Sequence, residues 1–322
     1  MTVLVTGAAG FVGMHVAERL LQRGETVVGV DNFNDYYEVA LKDLRASKLA
    51  VYPTFEMVRA DIADAAVIAE LVRTRGVRRV VHVAAQAGVR YSIQNPFAYE
   101  RSNLQGHLSI LEACRHAEVE HLVYASSSSV YGDRPLSGPG FREDEPTAQP
   151  VSLYAATKAS CELMSQSYAT LYRLPQSGLR FFTVYGPMGR PDMAYFGFTE
   201  AIMRGHPIEI YGEGRMARDF TYIDDIVDGV VGVLDRPPEN GGHEIYNIGD
   251  SRPVGLFDMI STLEKALGRD AVKILRPMQA GDVTATFADV SKLNALTGYA
   301  PKVALAEGLG RFVAWWRDWR GV

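Results

Sequence analysis

Val3-Leu4-Val5-Thr6-Gly7-Ala8-Ala9-Gly10-Phe11-Val12-Gly13 decides how this 322-residue chain is read. A short β-branched run ends in a glycine-spaced turn, and an amphipathic helical segment, Phe11 to Gln22, opens inside that turn. Gly7 permits the tight turn, Gly10 lets an anionic ligand approach the backbone, and Gly13 allows close helix–strand packing. The helix start at Phe11 and Val12 presents unpaired N–H groups and the positive end of a helix dipole to a pyrophosphate. The spacing is G-x-x-G-x-x-G, so its meaning rests on context. A strand precedes it, a helix follows, and Asp31 closes a second strand, Thr26 to Val30. A carboxylate there bonds both ribose hydroxyls and repels a 2'-phosphate, which favours NAD over NADP.

Working outward, strand and helix patterns alternate. Glu56 to Arg59 reads as a strand, Val67 to Arg75 as a helix, Arg79 to Val83 as a strand and Asn103 to His116 as a helix. His121 to Ala125 reads as a strand, Tyr154 to Tyr172 as a long helix and Ser177 to Phe182 as a strand. Short apolar runs between helices are buried parallel strands, and their alternation predicts an α/β fold, a Rossmann-type doubly wound parallel sheet. Asp61-Ile62, after the third strand, are placed to meet an adenine. Ala84-Ala85-Gln86, after the fourth, are small enough to let a ribose come close; both runs also suit ordinary packing. Beyond Pro187 the pattern changes to Pro, Gly and aromatic residues. Ile208 to Tyr211 and Glu244 to Asn247 read as short strands, with Leu256 to Leu267 and Gly308 to Trp319 as helices. This predicts a smaller mixed C-terminal substrate lobe, 186–322, after a dinucleotide domain, 1–185, with a soft boundary and strands open to exchange between the two. Ser137-Gly-Pro-Gly140 reads as a surface loop.

A hydrophobic fraction of 47% and a charged fraction of 22% are those of an ordinary globular protein. The net charge of -5 argues against nucleic acid as the main partner. Two cysteines, Cys114 and Cys161, leave no disulfide framework and no four-cysteine zinc site, and the histidines form no metal-spaced cluster, so no metal is expected. No run approaches the ~18 apolar residues of a membrane span. No leader is read ahead of Val3, and the expected location is cytoplasmic.

Tyr154 and Lys158 stand one turn apart in Ser152-Leu-Tyr-Ala-Ala-Thr-Lys158, on one helix face. A free tyrosine titrates near ~10, and an ammonium beside a phenol favours the phenolate. The pair therefore suits alcohol–ketone chemistry, with a hydroxyl from the run Ser126 to Ser129 sharing the same substrate oxygen.

Glycine turn, Asp31, serine run and Tyr154/Lys158, in this order, resemble the extended short-chain dehydrogenase/reductase family over nearly the whole length. Within it the chain is most similar to nucleotide-sugar epimerases of the UDP-glucuronate 4-epimerase type. The resemblance is carried by Asp31-Asn-Phe-Asn-Asp-Tyr-Tyr37, Ala87-Gly-Val-Arg90-Tyr91-Ser92, Ser126-Ser-Ser-Ser-Val-Tyr131-Gly132 and Tyr185-Gly-Pro-Met-Gly-Arg190-Pro-Asp192-Met193-Ala194. Arg218-Asp-Phe-Thr-Tyr-Ile-Asp224-Asp225 and Gln279-Ala-Gly-Asp282 continue it. Related dehydratases carry an Asp-Glu pair where this chain has Ser128 and Ser129; without carboxylates, elimination lacks its proton-transfer groups.

The resemblance implies a catalytic set of Ser127, Tyr154 and Lys158, with Lys158 also bonding the nicotinamide ribose. It adds Asn32, Asn34, Asn103, Tyr154 and Tyr185 to the NAD contacts. It implies a UDP-sugar substrate, oxidised at C4 and reduced again on the other face. A 4-keto uronate is a β-keto acid prone to lose carbon dioxide, so its carboxylate must be held. Ser128, Ser129, Thr183, Arg190 and Arg90 are the candidates, and Arg190 as a surface ion pair is the alternative. Arg218 and Asp282 match positions for the diphosphate and uridine ribose. Tyr211 borders the uracil or packs in its strand. Relatives dimerise through two helices, here Gln105 to Ala117 and Ala155 to Leu171, which implies a homodimer. Two rival readings stand beside this one: a UDP-glucose or UDP-N-acetylglucosamine 4-epimerase, and a non-catalytic NAD-binding sensor.

Overall fold

The computed structural model describes residues 1–133, 140–279 and 283–322. The glycine turn joins β1 (Thr2–Thr6) to α1 (Phe11–Gln22), followed by β2 (Thr26–Asp31), α2 (Val39–Leu49), β3 (Phe55–Arg59) and α3 (Ala65–Thr74). β4 (Arg79–His82) leads into α4 (Val89–Gln94) and α5 (Pro96–Tyr99), which run through a π-helical turn, Glu100–Gln105, into α6 (Gly106–His116). β5 (His121–Ser127), a 3₁₀ turn (Ser128–Tyr131), α7 (Leu153–Tyr172), β6 (Gln176–Phe181) and β7 (Thr183–Tyr185) follow.

β1 to β6 are joined by β10 (His243–Ile248) in a seven-stranded parallel sheet of order β10-β6-β5-β4-β1-β2-β3. The doubly wound expectation is met. β1 shows why its strands read as unbroken apolar runs. Val3, Leu4 and Val5 are all fully buried, with Val3 and Val5 facing the α1 side and Leu4 the α3/α6 side. Alternate residues point to opposite faces and both faces are covered.

The rest of the chain is α8 (Ala194–Met203), β8 (Ile208–Ile210), β9 (Ala217–Tyr222), α9 (Ile223–Leu234), then β10, β11 (Pro253–Gly255) and α10 (Leu256–Leu267). β12 (Lys273–Leu275), β13 (Ala285–Thr286), α11 (Ser291–Thr297) and α12 (Leu305–Arg320) complete it. β9 is central to a small mixed sheet, bonded to β7, β11 and β13, while β8 pairs with β12. The strand read at Glu244 to Asn247 is β10, and it lies in the main sheet, beside β6. α9 returns with it, packing on α1. Gly229 lets α9 lie close against β10, since a Cβ there would stand 2.5 Å from Ile248 Cδ1. Tyr211 falls just outside β8 and opens a 3₁₀ turn. Most of Ser137 to Gly140 lies outside the described residues.

Candidate active site

In an open α/β sheet a ligand crevice forms at the carboxyl ends of the strands, where the strand order reverses. Here that point lies between β1 and β4, and a cavity of about 410 Å³ opens there. Its wall includes the glycine turn, Asp31, Asn32, Asn34, Ile62, Ala84, Ala85 and Gln86. Ser127, Ser128, Ser129, Tyr154, Lys158, Thr183 and Arg190 line the same space. Gly7 takes φ 71°, and a Cβ on it would come within 2.9 Å of the Ala84 backbone. Gly13 is tighter: its Cβ would sit 2.0 Å from the Gly7 carbonyl oxygen. The third glycine is therefore required by the turn itself as well as by helix–strand packing.

Gly10 caps α1 without any side-chain acceptor, which leaves the first N–H groups of the helix to a ligand. The Asp31 carboxylate accepts from Ala9 N–H (3.1 Å) and Phe33 N–H (2.8 Å). Both oxygens are thereby aimed, and each retains a lone pair for a ribose hydroxyl. A dinucleotide without a 2'-phosphate fits this arrangement of glycine cradle, helix start and fixed carboxylate.

Tyr154 lies in the first turn of α7, which Ser152 caps by accepting from Ala155 N–H at 3.1 Å. Its ring meets Tyr99 edge-on, centroids 6.1 Å apart. Lys158 Nζ donates to the Ala125 carbonyl at 2.7 Å, so the end of β5 holds the ammonium at the cavity. Ser127 ends β5, and its Oγ lies 3.0 Å from Ser129 Oγ and accepts from Ser129 N–H at 3.1 Å. Strand alternation turns Ser126 the other way, where it donates to Glu162 at 2.5 Å. Glu162 forms a buried two-pronged pair with Arg180 (2.9 and 2.8 Å). Arg180 continues to Tyr131 (2.9 Å), and Tyr131 to Asn247 (2.7 Å). This polar network behind the serine run was not anticipated; its members are scattered in sequence and carry no local pattern.

A second cavity of about 500 Å³ adjoins the first, and Tyr36, Gly88, Thr183, Arg190 and Met193 line both. Arg90, Tyr211 and Arg218 line the second. Arg90 lies over the Tyr211 ring, 5.0 Å from its centroid. Tyr211 is thus at a cavity wall and not in strand packing. Arg218 donates to the Val283 and Ala217 carbonyls at 2.7 and 2.9 Å. Both readings of Arg190 describe part of what is found. It pairs with Asp192 through Nε (2.9 Å) and Nη2 (2.6 Å), yet it stands at the junction of the two cavities. Tyr36 donates to the same carboxylate at 3.1 Å. Burial works against both charges, but Asp192 holds the Arg190 pKa above the usual guanidinium range, and Arg190 holds Asp192 below its own.

Three expected contacts are placed elsewhere. Asn103 is buried one layer behind the cavity. It accepts from Gln86 N–H (2.8 Å) and donates to the Gln86 carbonyl (3.1 Å) and Thr157 Oγ1 (3.0 Å), so both amide hydrogens are used within the protein. The π-helical turn that carries it ties β4 to α7, a typical use of such a distortion near a site. Asp61 accepts from Ala63 N–H (2.9 Å) and pairs with Arg101 (3.1 Å) beside Ile62, off the cavity wall. Tyr185 is fully buried among Tyr195, Phe220 and Tyr222. Its hydroxyl, close against Gly308, takes the place a side chain there would need. Asp282 lies outside the described residues. Tyr36, Lys42 and Met193 line the first cavity without having been singled out.

Residues 3–249 match the NAD dependent epimerase/dehydratase family. The chain is 45% identical to a "Probable UDP-glucuronate 4-epimerase" of Rhizobium meliloti, over 98% of this chain and 97% of that protein. It resembles the crystal structure of a Bacillus cereus UDP-glucuronic acid 4-epimerase in complex with UDP-glucuronic acid and NAD. That likeness has a TM-score of 0.92 and 36% identity, covering 99% of this chain and 100% of that one. A Thermotoga maritima UDP-glucose 4-epimerase with UDP-glucose is similar at TM-score 0.90 and 29% identity, over 99% and 100% of the two chains.

Proposed function

The chain belongs to the NAD dependent epimerase/dehydratase family, and from that premise we propose that it is an isomerase interconverting UDP-glucuronate and UDP-galacturonate at C4. One observation carries the reading: glycine turn, Asp31, Ser127, Tyr154, Lys158 and Arg190 share one cavity. NAD, which the glycine turn and Asp31 would hold, would supply a hydride acceptor and donor at C4, so that the reaction is redox-neutral. Tyr154 accepts the C4 hydroxyl proton as the ketone forms and gives it back on reduction. Lys158 brings positive charge to the same helix face and supports that proton transfer. Ser127 hydrogen-bonds the C4 oxygen throughout. The ketone turns over in the pocket between the two half-reactions, and this requires a sugar held at its ends rather than along its length.

The carboxylate end falls to Arg190, Thr183, Ser128 and Ser129. Arg190 spends Nε and Nη2 on Asp192, leaving Nη1 to donate to the substrate. Arg218, with Arg90, Tyr211 and Asp282, takes the nucleotide end. The purified protein given UDP-glucuronate should form UDP-galacturonate. A UDP-pentose as main product sinks the carboxylate role, and no conversion sinks the epimerase. A UDP-hexose 4-epimerase is the second reading, favoured by the Arg190–Asp192 pair, which already neutralises the arginine. Competition among UDP-glucuronate, UDP-glucose and UDP-N-acetylglucosamine separates the two.

The homodimer belongs to this reading. Leu108 on α6, Leu163 and Leu171 on α7, and Phe97 on α5 are exposed, Leu163 by 73%. A second copy of the same helices would cover them. Sedimentation should give twice the 35.4 kDa of one chain, and a single-chain mass at assay concentration refutes the dimer. The cytoplasm is the compartment implied, since both cysteines are buried free thiols, and no described helix is long and apolar enough to cross a membrane.

A further inference from the structure

The loop between β7 and α8 carries Arg190, and side chains from the dinucleotide side hold it by three consecutive carbonyls. Pro187 O accepts from His15 Nε2 at 3.2 Å. Met188 O accepts from Arg45 Nε (3.1 Å) and Nη2 (2.6 Å), and Gly189 O from the same Nη2 (3.0 Å). Arg45 Nη1 donates to Ala9 O in the glycine turn (3.1 Å) and to Tyr37 Oη (2.6 Å). One guanidinium on α2 thus touches the dinucleotide turn, the arm after β2 and the Arg190 loop.

Two features show that this contact is demanding. Arg45 is fully buried, and among the described residues none of the oxygens it bonds is a carboxylate. A buried charge without a counter-ion is expensive, so an apolar side chain of similar volume would serve packing better. Met188, two residues before Arg190, takes φ 57°, a left-handed conformation that persists only where the surroundings over-determine it. A planar fork reads two neighbouring carbonyls at once; an ammonium does not.

We propose that Arg45 is a positioning residue for the sugar site, fixing the loop carbonyls against the glycine turn and thereby placing Arg190 for the substrate carboxylate. The proposal rests on the uronate reading of the site. A 4-keto uronate loses carbon dioxide when its C5–C6 bond aligns with the carbonyl π system. The bond's electron pair passes into the C4 carbonyl, carbon dioxide leaves, and the enolate takes a proton from water at C5, giving a UDP-4-keto-pentose that becomes a UDP-pentose only when the hydride removed from C4 is returned. A displaced Arg190 admits that alignment.

Wild-type and Arg45→Lys enzymes, both loaded with NAD, are given UDP-glucuronate and the products separated. The variant should keep its NAD, show a KM raised about tenfold or more with a smaller change in kcat, and release decarboxylated UDP-pentose products at about ten times the wild-type share. Hydrogen exchange of amides 186–193 should quicken about tenfold while the sheet strands stay unchanged. A lower Tm with unchanged KM and product ratio overturns the positioning role, and unchanged exchange overturns the anchorage. If Arg45→Lys does not fold, Tyr37→Phe, which frees Nη1 from one side, carries the same readouts in smaller measure. If the wild type forms no epimer, the functional reading fails on its own, and the exchange measurement still decides Arg45.

Discussion

Tyr154→Phe should lower turnover of UDP-glucuronate by about 10³-fold, within the usual contribution of a positioned acid–base group, while bound NAD is retained. The substitution removes one oxygen and little else. The ring keeps its edge-on contact with Tyr99, and the Ser152 cap of α7 engages Ala155 rather than residue 154. Glycine turn and Asp31 lie on other elements, so the dinucleotide seat is undisturbed. Turnover by product analysis, with NAD content measured after denaturing the protein, tests both halves. Activity within about tenfold of wild type refutes the proton-transfer role. Loss of NAD together with activity would place the damage in cofactor binding instead.

The second large effect is acid lability. His82, His107 and His121 are buried inside the sheet layers. Burial lowers all three pKa values, His107 to about 3 and His121 to about 4, and the positive charge of Lys158 adds to the effect at His82 and His107. His15 and His243 are also lowered by burial to about 4. An unfolded histidine protonates near 6.5. Between that value and the folded one, the unfolded chain binds more protons, so stability falls as pH falls. Each fully buried histidine costs about 1.4 kcal/mol per pH unit in this window. Three cost about 4 kcal/mol per unit, against a total stability of roughly 5–15 kcal/mol.

Some carboxylates act with the opposite sign. Burial raises Asp250 to about 6 and also raises Asp219, Asp224 and Glu143. These groups bind protons more readily when folded, and they offset part of the loss. The histidines outweigh them, so the chain should unfold between about pH 6 and about pH 4.5. Tm measured from pH 7.5 downward should drop steeply below 6.5; a Tm unchanged between pH 7 and 5 contradicts the neutral buried histidines.

What could be read beforehand follows the range of the interactions. The glycine turn, Asp31 and the Tyr154/Lys158 pair are set by backbone geometry over a few residues, and such geometry leaves a spacing in the sequence. α2 left none, because two of its four buried positions are Lys42 and Arg45, which erases the apolar period. Arg45 meets Met188 across 143 residues, a distance at which no spacing rule operates. Asn103 and Tyr185 were assigned to NAD through their place in a resemblance, but one is consumed by the Gln86 backbone and the other by an aromatic core. The strand at 243–248 was legible as a strand. Its partner was not, since only the sheet as a whole decides that β10 lies against β6.

That pairing bears on how the protein could be divided. β10 reaches the sheet after the chain has built β7, α8, β8, β9 and α9, so the elements between β6 and β10 are an excursion from a sheet that is still unfinished. A fragment ending at residue 185 would lack the strand that satisfies one side of β6 and the helix that covers part of the α1 face. It would present a row of open backbone donors and acceptors, ready to template onto another chain. The dinucleotide half is therefore no transplantable module: its solubility depends on a strand that arrives more than fifty residues later, about the span from Tyr185 to His243.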